Sequence, residues 1–428
     1  MNILIKGAQA IVPQDDNDVV INADIYIEGD RITGINKRPD GFKEDKVIDG
    51  TDRLVIPGLV NCHTHSYMAF MRNAADDLSF MDWLFGRIDP IEQKMSDEDT
   101  YWGALLAIIE MVKSGTTCFN DMQMNPFQTT KAVKESGMRA VISRGLVGNG
   151  NDEGGRRRIN ETYAEMDFCK DCDRITFMMG PHAPYTCDEE YFKIVASEAK
   201  KAGVGVHIHL SESESEIEGV REKYNCTPIE MAERNGLFDG LCVAAHCVRI
   251  DEKDMDILKA HNVSVVTNPA SNMKLGNGFA PVKEMMDKGI NVCLGTDGAA
   301  SNNSLNLFHE LGLLTLIHKG THKTPQCISA KEAFKIATIN GAKALGLDKE
   351  IGTIEVGKKA DLAIIDLENP SLMPANDMIA ALSYSANGSE VDTVIIDGCV
   401  VMEGKKMLTV DEKTVYAKVN EIAGKLIK

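Results

Sequence analysis

The sequence lacks any long apolar run. No stretch reaches the roughly 20 apolar residues of a membrane-spanning helix, and the opening MNILIKGAQAIVPQDD has no secretion-signal core. Positive charge is also scarce. The formal net charge is −18, which argues against a nucleic-acid or anionic-membrane partner, because phosphate binding needs basic patches. Paired cysteine motifs are missing too. Eleven cysteines are scattered over 428 residues, an odd number. The one C-x-x-C, Cys169 and Cys172, has no second pair at zinc-site spacing, so it reads as an accident of helix sequence. Free thiols in a reducing cytoplasm are the expectation. There is no solenoid repeat and no low-complexity linker. The glycine-rich GNGNDEGG (148–155) lacks both the strand–GxGxxG–helix context and the Lys-Ser/Thr of a phosphate loop, so it reads as a mobile loop.

What is present is the composition of an ordinary globular protein, 43% hydrophobic and 26% charged. The length allows two domains, or one large barrel with an accessory domain. The two ends read alike. DIYIEGDRITGI (24–35) alternates apolar and polar residues around Gly29-Asp30, and TVIIDGCVVMEG (393–404) does so around Asp397-Gly398. Both are hairpin signals. ADLAIID (360–366) is a further strand. The middle alternates short apolar runs with amphipathic stretches such as 99–115 and 189–203, each ending in Gly. The eight runs are LVNCHTH (59–65), TTCFND (116–121), AVISRG (140–145), ITFMMGPH (175–182), VGVHIHL (204–210), CVAAHC (242–247), VSVVTNP (263–269) and NVCLGTD (291–297). Eight such units predict an α/β fold: a (β/α)8 TIM-type barrel over 57–360, with a small β-sandwich domain built from 1–56 and 361–428.

Every run ends in a polar or ionisable residue: His63 and His65, Asp121, Arg144, His182, His209, His246, Asn268, Asp297. Chemistry in such barrels sits at these strand ends. His63 and His65 share one face of a strand. With His209 and Asp297 they supply three imidazoles and one carboxylate, a donor set for one hydrolytic metal whose bound water is acidified. His207 is also on the inward face, one layer deeper, and reads as a buried, hydrogen-bonded histidine. Glu212, three residues past His209, is placed to act as a general base near that metal. The following Glu214, Glu216 and Glu218 read as solvated. His246 suits polarisation of the attacking water or the leaving group.

PGLVNCHTH, HLSE, AAHC and GTDGAASNN, together with NPASNMKLGNG (268–278) and GTIEVGKKADLAIID (352–366), resemble the amidohydrolase superfamily, and within it the branch of 5′-methylthioadenosine/S-adenosylhomocysteine deaminases. The resemblance covers nearly the whole chain. It implies one divalent metal per subunit, usually Zn2+, held by His63, His65, His209 and Asp297. It implies that Glu212 carries a proton to the purine ring nitrogen, and that His246 and Asp297 orient and activate the water. The implied reaction is attack at C6 of an adenine ring, a tetrahedral intermediate, then loss of ammonia. Members with a carbamylated lysine carry it at the end of strand four; MMGPH has none, so one metal is implied rather than two.

The same resemblance gives Glu92 to the ribose hydroxyls, His182 to the base, and Arg144 to the substrate's 5′ side. Arg156 joins Arg144, with Arg157 and Arg158 as alternatives in the same run. Trp83 lines the pocket or sits in the core. The implied partner is a small nucleoside, in a homo-oligomer. Two other readings stand beside this one: hydrolysis of a free purine or pyrimidine base or a triazine, and a non-catalytic metal-binding protein.

Overall fold

The computed structural model describes residues 1–14 and 17–427. Its centre is an eight-stranded parallel sheet in sequential order, running Leu59–Thr64, Thr116–Gln123, Arg139–Leu146, Ile175–Pro181, Gly205–Leu210, Cys242–His246, Ser264–Thr267 and Val292–Leu294. These are barrel strands one to eight, and each falls within or across one of the eight apolar runs. Strand eight returns to strand one. The carbonyl of His63 accepts the N–H of Thr296 at 3.2 Å and of Asp297 at 2.9 Å. Closing the barrel therefore brings the first and last expected metal ligands side by side.

The helices start and stop where local chemistry dictates. Asp97–Lys113 opens with a capping box of Ser96 and Asp99, and Gly115 behind it takes a left-handed φ of 81°. Glu189–Ala202 is capped by Asp188 and ends at Gly203, also left-handed. The barrel floor is apolar, with Val60, Cys62, Cys118, Val141, Met178, Val243, Val266 and Cys293 meeting inside. All eleven cysteines are free thiols, and Cys169 caps the end of helix Glu153–Phe168 with Cys172 one turn beyond.

Both chain ends join one nine-stranded mixed sheet. Its junction is Arg53–Pro57, antiparallel to Leu362–Asp366 and parallel to Asn2–Gln14. The hairpins at Gly29-Asp30 and Asp397-Gly398 form as expected. This sheet encloses its own core of Ile3, Ile5, Ile25, Ile27, Val55, Leu362 and Ile364. A buried bidentate ion pair ties it to the barrel: Arg139, opening strand three, meets Asp361 at 2.6 Å and 3.0 Å. The C-terminal segment is less β-rich than its hairpin suggests. Met378–Tyr384 and Glu412–Leu426 are helices. The second packs on helix Asp97–Lys113, burying Val415, Val419 and Ile422 along one stripe. No helix among the described residues is long and apolar enough to cross a membrane.

Candidate metal centre and active site

The pleat of strand one aims His63 and His65 into one volume, their ring centroids 5.1 Å apart. Each expected ligand is oriented from behind. His65 Nδ1 lies 2.8 Å from the Met122 carbonyl, and His209 Nδ1 lies 2.7 Å from the His182 carbonyl. A carbonyl only accepts, so in both rings Nδ1 carries the proton and Nε2 presents a lone pair. His63 Nδ1 faces His207 Nε2 at 2.8 Å, and His207 Nδ1 faces the Ser143 hydroxyl at 3.0 Å. His207 is thus the deeper, buried, hydrogen-bonded histidine that the sequence suggests.

The forward nitrogens converge. His65 Nε2 lies 3.2 Å from His209 Nε2, and Asp297 Oδ1 lies 3.4 Å from Nε2 of both His63 and His65. His63 Nε2 is buried with no hydrogen-bond partner. Lone pairs pointed at one another repel unless a cation sits among them. Burial keeps the rings neutral: it pulls His63 down to about 4, His65 below its usual range and His209 well below. Burial works to raise Asp297, but the neighbouring His63 holds its carboxyl well below the ordinary range. The Ser271 and Ser301 hydroxyls, each 2.7 Å from Asp297 Oδ2, donate to the carboxylate. Three imidazole lone pairs and an ionised carboxylate fit a divalent metal ion, with the partners behind them setting ring orientation. His246 belongs to the same cluster, its ring nitrogen grouping with those of His63 and His209.

Glu212 and His246, the expected acid/base pair, lie just past strand five and at the end of strand six. Glu212 is buried, and burial followed by the charge of Asp297 raises its carboxyl well above the usual range. Its Oε2 lies 3.8 Å from His246 Nε2. His246 Nδ1 faces Asn272 Oδ1 at 2.9 Å, which turns Nε2 toward the cavity. Segment 268–278 serves three partners at once: Ser271 donates to Asp297, Asn272 receives His246, and the Asn277 amide donates to Glu212 at 3.2 Å. Ser211, His246 and Asp297 hold left-handed φ of 53°, 74° and 59°, backbone strain gathered at the strand ends.

One acidic residue departs from expectation. Glu214 and Glu218 are solvent-exposed, but Glu216 is only 3% exposed. Ser213 caps helix Glu214–Tyr224, and its first turn swings Glu216 back beneath the loop. There its carboxyl accepts the N–H of Ser211 at 2.9 Å and of Glu212 at 2.8 Å.

The cavity over these groups is lined by Glu92, His182, His209, Glu212, His246 and Asp297 on its polar side. Glu92 accepts the Tyr67 hydroxyl at 2.5 Å, and burial pushes it up to about 7. His182 faces Thr186 at 2.9 Å, and burial pulls it down to about 3. Trp83 meets both of its readings, lining the cavity while packed in the core with its indole N–H on the Ala300 carbonyl at 3.2 Å. The two arginines do not line the cavity. Arg144 is buried at the end of strand three, its Nε on Glu161 at 3.1 Å. Arg156 is exposed on helix Glu153–Phe168, in an outer groove with Glu153, Asn160 and Glu161. Tyr67, Phe80, Met124 and Tyr185 also line the cavity and were not singled out by sequence. Tyr67 and Tyr185 lie two and three residues past His65 and His182, and that proximity was the available signal.

Residues 54–401 match the amidohydrolase family. The chain belongs to that family. This amidohydrolase is 46% identical over 430 residues to the 5-methylthioadenosine/S-adenosylhomocysteine deaminase of Thermoanaerobacter pseudethanolicus, covering all of both chains. It is equally similar, at 46%, to the protein of that name from Caldanaerobacter subterraneus, covering 100% of this chain and 99% of that one. Among solved structures it superposes on an adenosine deaminase from Xanthomonas campestris with bound zinc, at TM-score 0.93 and 29% identity over 99% and 98% of the two chains. An atrazine chlorohydrolase from Arthrobacter aurescens, 24% identical at TM-score 0.91 over 98% and 100%, shares the fold. The protein is a hydrolase related along its whole length to deaminases.

Proposed function

We propose that this amidohydrolase deaminates the adenine ring of 5′-modified adenosines by hydrolysis, converting the C6 amine to a hypoxanthine carbonyl with release of ammonia. The observation that carries the reading is the placement of Glu212: a buried carboxyl whose proton affinity burial raises, 3.8 Å from His246 and lining one cavity with His65, His209 and Asp297. Full-length relatives named for methylthioadenosine and S-adenosylhomocysteine deamination support it.

Zinc held by His63, His65, His209 and Asp297 would supply Lewis acidity and a water acidified toward neutral pH. The chain's own residues do the rest. Glu212 gives its proton to the purine ring nitrogen, which makes C6 electrophilic. His246 Nε2 and the Asp297 carboxylate orient the water and take its proton as oxygen bonds to C6. That proton then passes to the amine, the C6 hydroxyl returns its own proton to Glu212 as the C6=O bond forms, the C6–N bond breaks, and ammonia leaves. Glu92 accepts the two adjacent ribose hydroxyls, and His182 faces the base.

The test is Glu212→Gln. Deamination should fall by roughly 100- to 10,000-fold while bound metal, measured by elemental analysis, stays stoichiometric. Full activity in that variant overturns the reading. Glu92→Ala separates nucleosides from free bases, because a base without ribose would leave kcat/KM unchanged.

A further inference from the structure

We propose that Glu310 is a positioning residue for Asp297: it fixes the two segments whose serine hydroxyls hold Asp297 Oδ2, and so keeps Oδ1 turned toward the histidines. The inference deepens the reading above and rests on its assignment of Asp297 to the metal.

Glu310 lies in the first turn of helix Leu307–His322 and is fully buried. Among the described residues no lysine or arginine pairs with it, and only His309 Nδ1 approaches, 3.7 Å from Oε1. Burial raises its carboxyl to about 8. A carboxyl buried without a cation is costly. Here that cost is offset by hydrogen bonds from two separate segments. Oε2 accepts the Ala270 N–H at 3.0 Å, and Oε1 accepts the Asn302 side-chain amide at 2.8 Å. In either protonation state both oxygens keep a lone pair to offer.

The first contact replaces a missing cap. Helix Pro269–Lys274 begins after Asn268, a residue type that usually caps with its own side chain. Here it makes no such bond. Its amide nitrogen lies 3.4 Å from His246 Nδ1 instead. Pro269 has no N–H, so Ala270 carries the first free one, and Glu310 takes it from 40 positions away. Ser271 is the next residue, with its hydroxyl 2.7 Å from Asp297 Oδ2. The second contact works from the other side. The Asn302 amide nitrogen also donates to the Thr296 carbonyl at 2.6 Å, one residue before Asp297. Ser301, beside Asn302, puts its hydroxyl 2.7 Å from the same Oδ2. One carboxyl thus anchors both serines. Oδ1 is left 3.4 Å from Nε2 of His63 and of His65. Asp297 needs such support, because its left-handed φ of 59° persists only where the surroundings impose it.

The experiment measures zinc affinity of the full-length protein by competition with a chromogenic chelator, together with kcat and KM for methylthioadenosine. The variants are Glu310→Gln, the pair Ser271→Ala with Ser301→Ala, all three together, and Asn302→Ala. The new amide NH2 of Glu310→Gln cannot accept, so one of the two segments comes free. Zinc affinity should fall about tenfold in Glu310→Gln and about 10- to 100-fold in the serine pair, the range for bonds behind a metal ligand. kcat should fall with it, and KM should change less. The triple variant should match the serine pair within about twofold, because Glu310 then has nothing left to act through. Losses that multiply in the triple variant show Glu310 acting by another route and overturn the inference. Wild-type affinity in a folded Glu310→Gln overturns it too. Where Glu310→Gln does not fold, Asn302→Ala decides, since it cuts one link with Glu310 in place. A fall of about tenfold there supports the inference, and wild-type affinity overturns it. The chelator readout needs no substrate. Affinities in the expected order with no nucleoside turned over would sink the deaminase reading and leave this inference standing.

Discussion

The side chain of Glu216 holds the main chain of Glu212, accepting its N–H at 2.8 Å. The other carboxyl oxygen holds Ser211, whose backbone sits at the left-handed φ of 53°. One acidic residue thus fixes the turn that aims another at the cavity.

Glu216→Gln keeps one acceptor and puts an amide NH2 against the second backbone N–H. The turn should loosen and Glu212 should lose its aim. Displacement of a reacting group by about 1 Å costs on the order of 100-fold in rate. We expect kcat to drop roughly 10- to 100-fold, KM to change less, and metal content to hold. Steady-state kinetics with elemental analysis checks this. An unchanged kcat means the turn holds its shape without Glu216.

His207 Nε2 lies 2.8 Å from His63 Nδ1 in a fully buried position, and a metal held by His63 Nε2 would make it the acceptor of the Nδ1 proton. Its replacement by phenylalanine keeps the bulk and removes the acceptor. Loss of such a supporting bond lowers metal affinity about 10- to 100-fold. Competition with a chromogenic chelator reads this directly, and His207→Phe with wild-type affinity would show that packing alone orients His63.

Metal removal should cost stability as well as activity, because His65 Nε2 and His209 Nε2 then face each other at 3.2 Å with nothing between. A ligand present at 100 times its Kd stabilises by about 2.7 kcal/mol. Chelation should lower Tm, and zinc should restore both Tm and turnover. A Tm indifferent to chelation contradicts this account of the cluster.

Glu165, far from the metal cluster in function, sets a pH dependence. It is buried, accepts from Gln123 at 2.6 Å, the Phe127 N–H at 2.8 Å and Thr130 at 3.0 Å, and burial raises it to about 7. The folded state therefore holds this proton more tightly than the unfolded chain. Its contribution to stability is greatest below the ordinary carboxyl range of about 4.3 and falls as pH rises toward 7. Glu165→Gln removes that slope. The new amide can donate to Gln123 Oε1, a buried atom with no partner at present, once the Gln123 amide turns over. Thermal melts from pH 5 to pH 8 should show the variant gaining on wild type by on the order of 1–3 kcal/mol at the alkaline end. Parallel curves would refute the assignment.

The barrel was legible because its apolar runs end in polar residues, so strand count and site location come from one pattern. His207 was separable from His209 because the pleat puts alternate residues at successive depths. Glu216 was not legible. It stands among exposed glutamates, and only the helix turn begun at Ser213 buries it. The Arg144–Glu161 pair spans 17 positions and is made by a strand end meeting a helix, a relation no local motif encodes. The helix Glu412–Leu426 shows in the spacing of Val415, Val419 and Ile422, but the hairpin before it drew the reading toward strands.

The junction strand Arg53–Pro57 waits for a late partner. Arg53 and Asp366, ion-paired at 2.6 Å, are 313 positions apart. A ribosome adding about 5–20 residues per second exposes one edge of that strand for roughly 15–60 s before Leu362–Asp366 emerges. An unpaired edge recruits other chains. The nascent protein is therefore most prone to aggregate while its barrel is already forming, and a message truncated before codon 362 leaves that edge bare for good.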